Sequence, residues 1–362
     1  MNSRTVISLL TLFLALVSCD SKPQHFIVLG DMHYDLIEDH DMEWLATKPG
    51  DLIQVTEGYT LYTAQNWEAF CDVLAVRAIK TTPPVTAVIQ LGDLSEGLAG
   101  NPEKAKQMAS NTMKAVRESG IPAPWVITKG NHDITGPGAV EAFNEIYLPE
   151  FKSQLKDNSI TSANYVYQSE DVAFVCFDPW ERNGDPIQIL EENLRKIDAK
   201  YKFVSVHEPV IPVNERCWHL YRKDNEKREE LLRVIAQNKA VVLCAHLHLY
   251  SVVKRDTQYG PIVQILVNSV IKDRSHTRPD QLITEYGPSL AINVPEWEPQ
   301  SLEQRIVWLE AETPHVSYFK QMDLPGYGIL SVDDKKDEVT FSLYPAFSDE
   351  PYDIISISDL TR

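Results

Sequence analysis

The chain has 362 residues, of which 43% are hydrophobic and 24% charged. These ordinary globular values exclude a low-complexity or collagen-like protein, and five cysteines are too few for a disulfide scaffold. The formal net charge is −18, which argues against a dedicated DNA or RNA binder, because such proteins usually carry a basic patch. A small phosphorylated substrate stays compatible with this charge, since a metal site supplies positive charge locally.

The first residues have the pattern of an export signal. A short polar start precedes a nearly unbroken apolar run over residues 6–17, which suits a signal peptide and is too short to span a membrane. Leu-Val-Ser-Cys at 16–19 resembles a bacterial lipobox, in which Cys19 becomes the lipidated first residue of the mature chain. We therefore expect a signal peptide over 1–18, a linker over 19–24, and an exported bacterial lipoprotein anchored in the periplasm or cell envelope. Plain secretion is the alternative.

Strand and helix patterns alternate in the first half of the mature chain. Short apolar runs stopped by Gly or polar residues predict buried strands, and apolar residues at helical spacing predict helices. The predicted order is strand 25–30, helix 66–80, strand 85–91, helix 102–119 and strand 125–128. This alternation is typical of parallel strands in a layered α/β core.

The pattern changes after residue 162. The predicted elements are a hairpin of 164–168 and 172–177, helices 187–199 and 226–237, and strands 203–206, 240–245, 250–254, 263–267, 328–332, 338–343 and 354–357. Residues 270–325 carry no clear period, so we interpret them as a family-specific insertion with a helix near 302–310. Because neither a repeat nor a convincing linker interrupts it, we expect residues 25–362 to form a single domain.

Polar side chains able to bind metals follow the ends of five predicted strands. They are Asp31, His33, Asp93, Asn131, His132, Asp133, His207, His246 and His248. Sites in open α/β sheets lie beyond the carboxyl ends of strands, and residues two apart in extended backbone point to the same side. Without His132 and Asp133, the set of ligands has two carboxylates, one amide and four imidazoles, which suit Mn, Fe or Zn. Seven ligands exceed the need of one tetrahedral ion and fit two ions about 3.5–4 Å apart.

The motifs that contain these residues are, in chain order, Asp-x-His, Gly-Asp, Gly-Asn-His-Asp, a lone His and a final His-x-His. In this order they resemble the motifs of the calcineurin-like metallophosphoesterases. The resemblance covers residues 31–248, and the Gly-Tyr-Gly-Ile-Leu run after Pro325 resembles that family's closing strand. It implies an α/β fold, a four-layer sandwich of two mixed β-sheets flanked by helices. Ala245 replaces the usual Gly of the last block. Glu96, three residues after Asp93, stands where purple acid phosphatases carry Tyr, which favours Mn, Fe(II) or Zn over an Fe(III)–tyrosinate site.

The resemblance also implies a role for each residue. It assigns Asp31, His33 and His248 to a first metal ion, Asn131, His207 and His246 to a second, and Asp93 as the bridge between them. A hydroxide between the two ions would attack phosphorus. His132 would stabilise the transition state or protonate the leaving oxygen, and Asp133 would orient it. Two cations also neutralise an in-line phosphoryl transition state, and imidazole is a natural proton donor near neutral pH.

These patterns predict a hydrolase of small phosphate esters that depends on two metal ions. Asp133, where the family's protein phosphatases commonly have Glu, slightly favours diesters. The alternatives are a phosphomonoesterase or nucleotidase, a nuclease, which the acidic charge disfavours, and a non-catalytic metal-bound scaffold, which the complete set of ligands disfavours. We expect no nucleic acid and no protein partner, and membrane contact only through the lipid anchor. The choice of substrate depends on loops 34–65, 208–223 and 270–325, whose sequences contain no motif that identifies a substrate.

The stretch 215–222 follows His207 closely and mixes cations with aromatic residues. Its Arg216, Trp218 and His219 either line the substrate mouth or belong to an ordinary loop. Both interpretations stay open at the level of sequence.

Three further features have a structural interpretation. The run 38–41, which contains His40, is read as a solvated acidic loop rather than a second metal site. For Tyr59, core packing is favoured over a place at the substrate mouth. Cys71 and Cys217 would be able to pair in an oxidising compartment, although nothing in the sequence indicates that they do.

Overall fold

The computed structural model describes residues 22–295 and 301–362. The predicted signal peptide and the predicted lipidation site Cys19 lie outside these residues. None of the described helices has the length and apolarity that crossing a membrane requires.

Strands in the described part of the chain form two sheets. They are Gln24–Leu29 (β1), Ala87–Gln90 (β2), Trp125–Ile127 (β3), Tyr165–Ser169 (β4), Val172–Cys176 (β5), Tyr201–Ser205 (β6), Val241–Cys244 (β7), Tyr250–Thr257 (β8), Gly260–Leu266 (β9), Leu282–Ile283 (β10), Val316–Met322 (β11), Gly326–Asp333 (β12), Glu338–Pro345 (β13) and Asp353–Ser356 (β14). The sheet orders are β14-β13-β12-β1-β2-β3 and β10-β11-β8-β9-β7-β6-β5-β4. Both sheets are mixed: β1, β2 and β3 run parallel, as do β5, β6, β7 and β9, and the other pairs are antiparallel.

Helices connect and cover the strands. They are Met42–Leu45 (α1), Pro49–Gln54 (α2), Gln65–Lys80 (α3), Pro102–Arg117 (α4), Ala139–Ala142 (α5), Leu148–Leu155 (α6), Pro186–Lys196 (α7), Asn225–Gln237 (α8), Ser289–Ile292 (α9), Leu302–Glu312 (α10) and Ile357–Thr361 (α11), with π-helical segments at Val55–Ala64 and Phe143–Tyr147. Local chemistry sets where they begin. At α4 the Asn101 side chain accepts a hydrogen bond from the backbone N–H of Lys104, and proline occupies the first turn.

The two sheets pack face to face through large apolar side chains. The rings of Phe26 on β1 and Phe174 on β5 lie 4.8 Å apart between centroids. Every residue of β2 and β7 is buried, as expected of parallel strands that are covered on both faces. Helix α6 contacts β3, while α7 and α8 contact β5 and β9. The predicted fold class, two mixed sheets flanked by helices, is confirmed.

Two regions contain structure that the sequence pattern did not predict. The loop 34–65 holds α1, α2 and the π-helical segment Val55–Ala64. Within 270–325 the strand β11 pairs with β8, so this region is partly built into the second sheet. The buried residues of β11 are Phe319, Gln321 and Met322, and a strand buried only in its second half shows no full alternation of polar and apolar residues.

Candidate metal centre

The seven predicted ligand residues converge where β1, β2, β3, β6 and β7 end. Around the first group, His33 Nε2 lies 3.0 Å from His248 Nε2, and His248 Nε2 lies 3.6 Å from Asp31 Oδ1. Ligand atoms of these three residues all lie within 4.8 Å of one another. This spacing is suited to one metal ion.

A second group lies beside the first. His207 Nε2 lies 3.1 Å from both Asn131 Oδ1 and His246 Nδ1. Asp93 links the two groups, because its Oδ2 is 3.0 Å from His207 Nε2 and 3.9 Å from His33 Nε2. One carboxylate therefore reaches both groups.

The outer nitrogens of His207 and His248 form hydrogen bonds, and that of His33 lies in close contact with a carboxylate. His207 Nδ1 donates to the backbone oxygen of Leu91 at 2.9 Å, so the lone pair of the neutral imidazole is on Nε2. His33 Nδ1 lies 2.7 Å from Glu96 Oε2, and His248 Nδ1 lies 3.2 Å from the Tyr59 hydroxyl. Metal-binding histidines typically hold their second nitrogen in this way, so the donor set fits metal ions.

Four of the converging residues have left-handed backbone. The φ angles are 43° at His33, 52° at Asp93, 75° at His246 and 52° at His248. The expectation that the paired residues share an extended backbone was therefore wrong, although their side chains meet. Non-glycine residues in this region cost about 1–3 kcal/mol each and cluster at functional sites.

Asp133 organises the loops beneath the ligands. Its fully buried carboxylate accepts hydrogen bonds from the backbone N–H groups of Gly130 at 2.9 Å and of Asp93 and Ser95 at 3.0 Å. Burial and the charge of Asp93 raise the pKa of Asp133 to about 6. Gly130 is required here, because a Cβ would lie 2.1 Å from the backbone nitrogen of Asp93. This arrangement differs from the predicted role of Asp133 in orienting His132.

His132 is oriented by Glu96 instead. Its Nδ1 donates to the backbone oxygen of Glu96 at 2.6 Å and lies 3.7 Å from Glu96 Oε2. Burial acts to lower the pKa of His132, but the charges of Glu96 and Asp93 outweigh it and raise the pKa to about 9. The side chain is 21% exposed, so it is reachable from solvent.

Sequence reasoning missed the place of Glu96. It is fully buried, Gln54 Nε2 donates to its Oε1 at 2.6 Å, and its Oε2 contacts His33. Burial raises the pKa of Glu96 to about 7. The sequence signal for its place in the site is its position three residues after Asp93, where purple acid phosphatases carry the tyrosine.

Tyr59 forms a wall of the centre rather than part of the apolar core. Its ring stacks on His33 with centroids 4.0 Å apart. The π-helical segment that carries it is fastened to the site by Thr63, whose hydroxyl donates to the backbone oxygen of His33 at 2.6 Å. No apolar period marks this residue in the sequence.

The three candidate mouth residues separate into two groups. The Trp218 ring lies 5.2 Å from that of His246, and the Arg216 guanidinium lies 5.3 Å from the centre of the Trp218 ring. His219 is only 2% exposed, packs its ring against Trp308, and donates from Nδ1 to a backbone oxygen. Burial lowers the pKa of His219 to about 3. His219 is a core residue, so of the two interpretations left open by the sequence it does not fit a place at the substrate mouth.

The structure also corrects one expectation and decides one possibility that the sequence left open. The run 38–41 is not a solvated loop, because Asp39 and His40 are buried. Cys71 and Cys217 are free and buried, so the disulfide left open by the sequence does not form between them.

The chain is similar to known phosphoesterases. A family model for the calcineurin-like phosphoesterases matches residues 24–250. Two proteins of Arabidopsis thaliana match in sequence: probable purple acid phosphatase 20 is 26% identical over 137 residues, and purple acid phosphatase 21 is 28% identical over 141 residues. Each match covers 35% of this chain, and 32% and 30% of the respective relative. The chain thus spans about a third of the length of these relatives.

Two solved structures share the fold. Purple acid phosphatase PPD1 from yellow lupin (Lupinus luteus) seeds matches 94% of this chain and 55% of its own, with a TM-score of 0.53 and 11% identity. A dimetal phosphatase from Danio rerio matches 92% of this chain and 98% of its own, with a TM-score of 0.51 and 13% identity. At these identities the likeness concerns the fold alone. Because the family model covers more than half of the chain, this protein belongs to the calcineurin-like phosphoesterase family.

Proposed function

We propose that the protein hydrolyses phosphate esters with the help of two metal ions. The assignment is Asp31, His33 and His248 for the first ion, Asn131, His207 and His246 for the second, and Asp93 for both. The observation that carries it is the position of Asp93 Oδ2, within 4 Å of an inward-facing nitrogen of each group. Bound ions of this kind supply Lewis-acid stabilisation and a nucleophile at neutral pH.

The residues of the chain supply orientation and a proton. The backbone oxygen of Leu91 accepts a hydrogen bond from His207, and the carboxylate of Glu96 lies in close contact with the imidazole of His33. The His132 ring lies 4.8 Å from that of His33 and carries a proton on Nδ1, where it donates to Glu96. In its protonated form this imidazole stabilises developing negative charge and donates a proton to a leaving oxygen.

The substrate of this reaction is either a phosphate diester or a phosphate monoester. A diester is slightly favoured by Asp133, whereas the similarity to purple acid phosphatases supports a phosphomonoesterase or nucleotidase. The test compares p-nitrophenyl phosphate with bis(p-nitrophenyl) phosphate, using protein loaded with Mn, Fe or Zn and protein treated with a chelator. Hydrolysis of either ester that depends on metal supports the function. Metal-loaded protein that is inert on a broad phosphoester panel would instead favour a non-catalytic scaffold.

We also propose that the chain is an exported lipoprotein anchored through Cys19. The support is the apolar run followed by Leu-Val-Ser-Cys. Mass spectrometry of the mature N-terminus tests this: an acylated Cys19 is expected, together with release of the Cys19→Ser variant from the membrane fraction. An unmodified N-terminus in the membrane-associated protein contradicts it.

A further inference from the structure

One side chain of the π-helical segment Val55–Ala64 contacts two of the three ligands proposed for the first metal ion. The Tyr59 ring stacks on His33 with an angle of 12° between the two rings. It meets the His248 ring edge-on, with 5.7 Å between the centroids. The Tyr59 hydroxyl also lies 3.2 Å from His248 Nδ1. A single residue therefore fixes the orientation of both imidazoles.

The contact between Tyr59 and His248 leaves the correct nitrogen for a metal ion. His248 Nε2 lies 3.0 Å from His33 Nε2 and 3.6 Å from Asp31 Oδ1, so this nitrogen faces the other ligands. A neutral imidazole that binds a metal through Nε2 carries its hydrogen on Nδ1. His248 Nδ1 then donates to the Tyr59 oxygen. Outer partners of this kind fix the tautomer and the ring orientation of metal-binding histidines.

The backbone around Tyr59 is tied to the first group of ligands on both sides. After Tyr59, the Thr63 hydroxyl donates to the backbone oxygen of His33 at 2.6 Å. Before it, Gln54 Nε2 donates to Glu96 Oε1 at 2.6 Å, and the other oxygen of Glu96 lies 2.7 Å from His33 Nδ1. These contacts hold the Tyr59 ring against His33.

The second group of ligands lacks such contacts with this segment. His207 is instead oriented by the backbone oxygen of Leu91, which accepts from its Nδ1 at 2.9 Å. Within the part of the chain that the structure describes, the side-chain hydrogen bonds and ring contacts of residues 55–64 do not include Asn131, His207 or His246. A change at Tyr59 therefore acts directly on the first group alone.

We propose that Tyr59 is a positioning residue for the first metal ion and that it sets the affinity of this ion separately from that of the second. The proposal rests on the proposed two-metal function and adds a residue that the set of seven ligands does not contain. Tyr59 acts through His248 and His33 rather than on the ion itself. Removing its hydroxyl takes away the partner of His248 Nδ1, and removing its ring also releases His33.

Titration with Mn²⁺, followed by calorimetry, tests this in two backgrounds that each keep one complete group. His246→Ala keeps the first group complete, and His248→Ala keeps the second. Adding Tyr59→Phe to His246→Ala is expected to weaken Mn²⁺ binding about tenfold, the lower end of the usual effect of an outer partner. Water replaces part of the lost contact, because the His248 side chain is 31% exposed. Tyr59→Leu, which also loses the ring stack, weakens binding further.

In the His248→Ala background neither substitution of Tyr59 changes the affinity for Mn²⁺. Tyr62→Phe is the matched control, because Tyr62 lies on the same segment and its ring faces Lys272 instead of a proposed ligand. It leaves the affinity unchanged in both backgrounds. Equal weakening by Tyr59→Phe in the two backgrounds would indicate a general loss of structure and overturn the proposal, as would an unchanged affinity in His246→Ala.

These titrations are independent of turnover, so the proposal and the hydrolase function can fail separately. Wild-type protein that binds two Mn²⁺ ions but cleaves no phosphoester contradicts the hydrolase function, and the comparison of the two backgrounds still decides the role of Tyr59. A hydrolase in which Tyr59→Phe leaves both affinities unchanged contradicts only the role of Tyr59. Wild-type protein that binds no Mn²⁺ overturns both.

Discussion

At the scale of single residues, the centre depends on polar groups that orient the imidazoles. The backbone oxygen of Leu91 orients His207, and the Glu96 carboxylate lies against His33. The positions of the proposed ligands were predictable, because each follows a recognisable apolar strand. Glu96 and Tyr59 were not, since a single carboxylate or aromatic residue in a loop carries no periodic signal.

The first prediction concerns the proton donor. His132→Ala is expected to lower kcat by about 10²-fold or more, the usual effect of losing a general acid. It is expected to keep its metal ions, because the proposed ligands do not include His132. Metal analysis and steady-state kinetics on the same preparation check both parts. A variant that keeps the wild-type rate would remove His132 from the mechanism.

Glu96→Gln tests the orienting carboxylate. An amide satisfies only one neighbour at a time: if its oxygen accepts from Gln54, its NH₂ faces His33, and the reverse orientation sets two NH₂ groups against each other. We expect metal affinity or activity to fall by about 10–100-fold, measured by metal titration and by kcat/KM. The matched control is Glu57→Gln on the exposed face of the nearby π-helical segment. Equal loss in both variants would argue against a specific role.

At the scale of elements, the segment Val55–Ala64 brings Tyr59 to the centre and is held from behind by a buried pair. His40 donates from Nε2 to Asp35 at 2.6 Å and from Nδ1 to the backbone oxygen of Leu98 at 3.1 Å. Both ring nitrogens therefore act as donors, which requires the charged imidazolium. The Thr60 hydroxyl donates to the other oxygen of Asp35, so the pair fastens this segment.

This pair predicts a pH dependence of stability. Burial acts to lower the pKa of His40, but the hydrogen bond and charge of Asp35 outweigh it, and the pKa is raised above 6.5. The pair's stabilisation is therefore complete below the unfolded-state pKa of about 6.5 and is lost as the pH rises through the folded value. In urea unfolding, His40→Gln is expected to cost about 3–5 kcal/mol at pH 6 and less at pH 9.

Exposed His315 provides the control for that measurement. For His315→Gln, the loss of unfolding free energy relative to the wild type should be the same at pH 6 and at pH 9. If the deficit of His40→Gln is the same at both pH values, His40 does not carry its charge in the folded protein.

Strand order and local backbone differ in how far sequence predicts them. The runs that became β1, β2, β3, β6 and β7 are short and apolar, so their positions were clear, and the ligands follow from where they end. The loops beyond them bend through left-handed residues such as Asp93 and His246. The backbone N–H of Asp93 donates to the Asp133 carboxylate and that of His246 to the Asp31 carboxylate, and such contacts between distant residues leave no local pattern.

At the scale of the whole molecule, an acidic protein concentrates two buried carboxylates and four imidazoles at one edge of its sheets. Asp31 and Asp93 are fully or almost fully buried, and burying charges without compensation is costly. The two proposed divalent ions would compensate them and make the centre locally positive, so the net charge of −18 argues against long polyanions more than against small esters.

Metal removal is therefore expected to lower the stability of the protein. Ligands that bind only the folded state stabilise it, by about 2.7 kcal/mol at a hundredfold excess over Kd. Treatment with a chelator should lower Tm by several degrees, as measured by scanning calorimetry, and adding metal should restore it. An identical Tm with and without metal would mean that the cluster does not bind the ion.

The shared carboxylate of Asp93 is the centre of this account, and the metal content of the Asp93→Ala variant tests it most directly. Mass spectrometry of the metal-reconstituted wild type should give two ions per chain, with hydrolysis of p-nitrophenyl phosphate or its diester. The variant should hold fewer than two ions and show no turnover, because both groups lose a ligand. An Asp93→Ala protein that keeps two ions and its activity would contradict the two-metal assignment.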